Sequence, residues 1–252
     1  SVYDQGEFTD VLTTHPYPVF VPHCRNDKIM SQRTLLHATC ETKYYAELSG
    51  KPCLVEELGT LGPITASDET AADFLRVNLF SNWANNAEGV LWWCANDQNN
   101  LSEPPYEWMM CERELGMIDS EHRPKPVLDE MKKFSDFLKK YKINPKPAKY
   151  DGVCISTLDQ DQWGIAYMSY ILAKQSGVNI RFSSYKTELP ESKIYLLPSV
   201  AGMCVMAKEK YYELLERVKN GAVLYISNDN AYLTDFENVT GLKVIDSDES
   251  VC

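Results

Sequence analysis

Short runs of uninterrupted apolar residues, each followed by a longer stretch with helical punctuation, recur along the chain. That pattern restricts the fold. A strand without polar alternation is buried on both faces, and it needs helices on either side, as in parallel βα units. The first half reads this way three times. Phe8 to Thr14 is expected as a strand leading into His15-Pro16-Tyr17-Pro18. Ser31 to Leu48 is expected as a helix, with Ser31 as N-cap and Gly50 as its stop. Pro52 to Glu57 reads as a buried strand, Asp68 to Asn85 as a helix capped by Ser67 or Asp68, and Gly89 to Cys94 as a further strand. A long aromatic and acidic loop follows from Ala95 to about Arg123, and Pro124 then sits near the start of a helix reaching Tyr141. Three such units cannot close an eight-stranded barrel by themselves.

Residues 142–150, KINPKPAKY, contain Pro145 and Pro147, which forbid a continuing helix. The expected domains are therefore 1–143 and 144–252. In the second, Gly152 to Ser156, Asn179 to Phe182, Lys193 to Leu197 and Gly221 to Ile226 read as strands, the third ending at Pro198. Gln162 to Ser176 and Lys208 to Lys219 read as helices, the first capped by Gly177. This alternation suits an open doubly wound sheet.

Charge and composition narrow the function classes. The formal net charge is −11, and the lysines at 132, 133, 139 and 140 read as a solvated helix face, so no nucleic-acid partner is expected. No apolar stretch reaches the roughly 18 residues of a membrane span. The eight cysteines form no CxxC pair, so no metal or cofactor is expected. Several, Cys53, Cys94 and Cys154, sit inside apolar strand-like runs and read as small buried hydrophobes of a reducing compartment, which favours a cytoplasmic over a secreted location.

Chemically able residues concentrate at three strand ends: His15 and Tyr17, then Glu56 and Glu57, then Trp92 and Trp93. The carboxyl ends of parallel strands share one rim, so these groups are aimed at one place. A carboxylate ending a buried strand such as KPCLVEELG (51–59) costs free energy unless it is paired or hydrogen-bonded. Strand alternation should send Glu56 and Glu57 to opposite sides, only one of them facing the rim.

The order of these motifs resembles the clan A glycoside hydrolases, retaining (β/α)8 enzymes that include family 5 cellulases and mannanases. Glu57-Leu58-Gly59 resembles the nucleophile Glu before a Phe-Gly or Leu-Gly pair on their seventh strand. His15-Pro16-Tyr17 is similar to the His-x-Tyr of the sixth, and GVLWW (89–93) to the eighth, whose terminal Trp floors a sugar subsite. The resemblance covers residues 1 to about 141. It implies the C-terminal βα units of a TIM barrel, with Glu57 as nucleophile forming a glycosyl-enzyme intermediate. Tyr17 is the expected donor to Glu57. His15 would contact substrate hydroxyls or orient the acid, and Trp93 would stack on a pyranose while Trp92 packs outward. Asp97 and Trp108, with Asn96, lie on the long loop and are expected to shape substrate subsites; Glu112 and Glu114 read as solvated surface.

Retaining hydrolysis also needs a general acid/base about 5–5.5 Å from the nucleophile. In the clan it follows an Asn on the fourth strand, and no Asn-Glu dipeptide occurs here. The chain is therefore expected to be one piece of a larger polypeptide and inactive alone. The substrate class implied is a β-mannan, β-glucan or β-galactoside. A non-catalytic carbohydrate-binding or assembly protein on a degenerate barrel is the alternative, decided by whether the fourth strand carries that carboxylate. The second domain, through KIYLLPSVAGM (193–203), resembles the flavodoxin-like, glutaminase-like domain that follows the barrel in family 42 β-galactosidases and assembles their trimers. A homo-oligomer is implied. No histidine follows His122, so glutaminase chemistry is excluded and Cys204 reads as structural.

Overall fold

A computed structural model describes residues 2–146 and 148–246. The fold is α/β, with two separate parallel sheets. The first holds β1 (Leu12–Thr14), β2 (Cys53–Leu58) and β3 (Val90–Trp92) side by side in chain order. The connections are α2 (Gln32–Ser49) and α3 (Asp68–Ala84), and α4 (Pro126–Tyr141) follows β3. These three units form an open parallel sheet, and no closed barrel is present among the described residues. A short helix, α1 (Val2–Gly6), precedes them.

Helix boundaries follow local chemistry. Ser31 and Ser67 cap α2 and α3 by accepting from Thr34 N and Thr70 N. Gly50, at φ 68°, ends α2 in the left-handed conformation that a side chain resists. β1 is shorter than its sequence run: residues 8–11 turn outward, and Phe8 is exposed. Gly6 closes α1 immediately upstream, and the chain must turn before entering the sheet.

The second sheet joins β4 (Gly152–Ser156), β5 (Ile180–Ser184), β6 (Ile194–Val200) and β7 (Val223–Asn228) in the order β5-β4-β6-β7. The direction of winding reverses beside β4, as in an open doubly wound sheet. Helices α5 (Gln162–Gln175) and α6 (Lys208–Lys219) connect its strands, and a short α7 (Phe236–Thr240) ends the described fold. β6 does not stop at Pro198. The strand continues to Val200 through a register shift between Leu197 and Val200, which accommodates a residue with no N–H to donate.

Two sheets do not mean two isolated cores. Cys40, Tyr44 and Leu48 of α2 pack in one cluster with Cys154, Tyr167, Tyr170, Ile171 and Phe182 from the second sheet and α5. Tyr44 Oη lies 3.1 Å from Ser156 Oγ, Tyr167 Oη donates to Arg33 O at 2.8 Å, and Phe182 N donates to Glu47 Oε2 at 2.8 Å. The other face of the first sheet is covered by α3, whose Phe74 and Leu75 are fully buried against Val55 and Leu58. Among the described residues the cysteines are free, and Cys24, Cys40, Cys53 and Cys154 are buried; Cys252 lies outside them. No helix among those residues is long and apolar enough to cross a membrane.

Candidate active site

The three carboxyl ends of the first sheet bring Tyr17, Glu57 and Trp93 together. Tyr17 follows β1 and donates to Glu57 Oε2 at 3.1 Å. Burial, then the negative field of Glu57, pushes the Tyr17 phenol well above its ordinary value, so it remains a donor. Gly59 sits between the other two: a Cβ there would stand 3.1 Å from Trp93 O and 3.2 Å from Tyr17 Cε1. A side chain at 59 would press on both neighbours, which is why the residue after Glu57-Leu58 is the smallest available. Trp93 N in turn donates to Leu58 O at 2.8 Å, fixing the end of β3 to the end of β2.

The two adjacent glutamates do not part to opposite sides. His15 Nε2 lies 3.0 Å from Glu56 Oε2, and its Nδ1 lies 3.6 Å from Glu57 Oε2. One imidazole therefore faces both carboxylates. The reason is a register shift between Val55 and Leu58, which turns both of those residues into the core against α3 and leaves the pair between them on the rim side. Glu56 is the more open, its side chain 46% exposed against 26% for Glu57. Hydrogen bonds from His15 and then Thr13 hold the Glu56 carboxyl below its ordinary value.

Trp92 and Trp93 differ sharply. Trp92 is buried with Leu58, Phe74 and Leu75, and its Nε1 donates to Leu115 O at 3.0 Å. Trp93 is half-buried, and its Nε1 donates to Glu112 Oε2 at 3.0 Å. Glu112, read from sequence as solvated surface, thus belongs to the site, and its charge also reaches Tyr17. No spacing rule connects a loop acid to a tryptophan nineteen residues earlier, so only the folded loop reveals it.

Two expected site residues do not join this cluster. Asp97 is turned inward, its side chain 6% exposed. Its Oδ1 accepts from Gly116 N at 2.7 Å and from Lys125 Nζ at 3.2 Å. These bonds hold Oδ1 to the folding of the long loop back on itself. A Cβ on Gly116 would fall 2.2 Å from Asp97 N, so this closure also requires glycine. Trp108 stands on the same loop, 79% exposed and without a ring contact to the cluster. Among the described residues no group of three or more His, Cys, Asp or Glu is disposed to hold a metal ion.

Behind the rim, α2 carries a facing pair, His37 fully buried and Glu41 partly so. His37 Nδ1 lies 3.3 Å from Pro16 O, and its Nε2 lies 3.6 Å from Glu41 Oε2 without a hydrogen bond. Burial pushes the Glu41 carboxyl up to about 7 against an opposing pull from His15; Tyr45 and Cys53 also face it. Burial pulls His37 down to about 4. A raised carboxyl binds its proton more tightly when folded, so Glu41 lowers stability as pH climbs from 4.5 to about 7. His37 acts oppositely between about 4 and 6.5, and the two nearly offset. Glu41→Gln should therefore be more stable than the parent above about pH 7 and show no gain below 4.5. Urea unfolding across this range checks it; a gain independent of pH rules out the buried carboxylate as its source.

No family model matches the chain, and no curated protein matches it by sequence. Solved structures do match the fold. An exo-β-1,4-mannosidase, Op5Man5 from Opitutaceae bacterium strain TAV5, aligns with TM-score 0.73 at 20% identity, covering 92% of this chain and 43% of that one. A β-galactosidase from the Antarctic haloarchaeon Halorubrum lacusprofundi aligns with TM-score 0.66 at 14% identity, covering 89% and 35%. A GH5_18 enzyme from Streptomyces cattleya, solved in complex with Manb1-4GlcNAc, aligns with TM-score 0.56 at 19% identity, covering 69% and 44%. The chain spans about half or less of the length of these proteins, and shares with them an α/β fold built on parallel sheets.

Proposed function

We propose that the chain carries the nucleophile half of a retaining β-glycosidase site, with Glu57 as the nucleophile. The observation that carries this is the convergence of Tyr17, Glu57 and Trp93 on one rim, with Tyr17 donating to Glu57. A carboxylate Oε attacks the anomeric carbon; the C1–O bond to the leaving group breaks as a glycosyl ester to Glu57 forms. The leaving oxygen takes a proton from a second carboxyl group, which then removes one from the water that hydrolyses the ester. The resemblance puts that group on an earlier barrel strand, and Glu112 is not assigned the role. Trp93, its indole steered by Glu112, offers the apolar platform for a pyranose.

Mannosidases and galactosidases share this fold, so β-mannosides and β-galactosides are the proposed substrate class. Residues 1–143 would supply the barrel part. Residues 144–252, a flavodoxin-like unit, would serve as an accessory or homo-oligomerising domain. With the remaining barrel strands present, a 2-deoxy-2-fluoro β-glycoside bearing a good leaving group should trap a covalent adduct. Peptide mass spectrometry should find the label on Glu57. Labelling of Glu56 or Glu112 instead would overturn the assignment.

A further inference from the structure

At the strand ends opposite the rim lies a cavity of about 710 Å³, between the C-terminal ends of α2 and α3 and the starts of β4 and β5. Its charge runs against that of the molecule. In a chain of net −11, five cations line it, Lys43, Lys51, Lys149, Lys174 and Arg181, against Glu47 and Glu191.

Both carboxylates are already engaged. Glu47 pairs with Lys43 and accepts from Phe182 N, and Glu191 Oε1 accepts from Arg217 at 2.8 Å. Asp151, beside the wall, spends its Oδ2 on Asn179 N at 2.8 Å. Lys43 keeps Glu47 as its partner, and the other four cations are left with neutral partners or none. Lys174 Nζ donates to Asn179 Oδ1 at 2.6 Å and sits over the Tyr170 ring, and Arg181 lies over Tyr150. Lys51 and Lys149 make no side-chain bond among the described residues. Burial, then the nearby charge of Lys43, pulls Lys174 below its ordinary value, against a weaker opposing pull from Asp151.

We propose that this cavity is a binding site for a small multivalent oxyanion of the phosphate type. Such an anion would accept charge-assisted hydrogen bonds from several of these groups at once and relieve their mutual repulsion. Lys43 and Lys51 come from the first sheet's unit, Lys149 from the connecting segment, and Lys174 and Arg181 from the second. Binding would therefore tie the two sheets together.

The test is calorimetric titration of this chain with inorganic pyrophosphate and with orthophosphate, alongside thermal unfolding. Expected are saturable one-site binding, tighter for pyrophosphate, and a raised unfolding midpoint. Lys51→Gln with Lys149→Gln should weaken binding at least about tenfold, the scale of one or two charged hydrogen bonds. Neither side chain has a structural partner, so the variant should fold as the parent does. Lys149→Gln alone, on an exposed residue, repeats the measurement with even less risk to folding. Absence of saturable binding would overturn the proposal. So would unchanged affinity in the double variant, or an equal midpoint rise from sodium chloride at matched ionic strength.

Discussion

With the remaining barrel strands present, Glu57→Ala is expected to lower turnover of an aryl β-glycoside on the order of 10⁴- to 10⁶-fold, the scale of losing a nucleophile that acts as part of a unit. The alanine leaves Tyr17 without its acceptor and opens space where the carboxylate stood. A small external nucleophile can then reach the anomeric carbon. Sodium azide should restore measurable turnover and yield a glycosyl azide of inverted configuration. Glu56→Ala is the informative control. It frees His15 of its 3.0 Å partner but leaves the Tyr17–Glu57 bond in place, so the loss should be much smaller and azide should not rescue it. Rescue of Glu56→Ala, or near-normal turnover of Glu57→Ala, would dismiss Glu57 as nucleophile.

The sequence was most legible where local chemistry acts alone. Ser31, Gly50 and Ser67 mark helix ends because capping needs only the residue and its own backbone. Gly152–Ser156 and Lys208–Lys219 were legible to the residue, since an apolar run and an amphipathic stretch are self-contained signals. The site was legible only in part. Strand ends place Tyr17, Glu57 and Trp93 on one rim, but strict alternation misplaces Glu56, because the register shift after Val55 depends on how β3 pairs with β2. The long loop was opaque for the same reason. Asp97 looks like a free acid in sequence, yet its Oδ1 holds Gly116 and Lys125, while Glu112 looks solvated and holds Trp93. Both outcomes depend on contacts across the loop that no residue pattern encodes. The seam between the sheets was hidden too: a Pro-rich segment reads as a boundary, yet α2 contributes to the core on the far side of it.

That seam yields the largest expected stability effect. Tyr44 of α2 is 2% exposed, with its ring 5.2 Å from Phe182 edge to face and 5.8 Å from Trp163. Its hydroxyl lies 3.1 Å from Ser156 Oγ, and burial pushes the phenol up to about 12, so it stays protonated. Tyr44→Ala should cost about 3–5 kcal/mol, as for other large aromatic truncations in a core. That is a large part of the roughly 5–15 kcal/mol available to an ordinary domain. Tyr44→Phe keeps the ring packing and loses only the hydroxyl contact, so about 1 kcal/mol is expected, read from urea midpoints. Hydrogen exchange locates the loss. Because α2 packs on β1 and β2 from one side and on β4, β5 and α5 from the other, Tyr44→Ala should reduce protection in peptides covering both Cys53–Leu58 and Gly152–Ser156. Reduced protection confined to Gly152–Ser156 would mean that the first sheet holds α2 by itself and that the shared cluster carries no common stability.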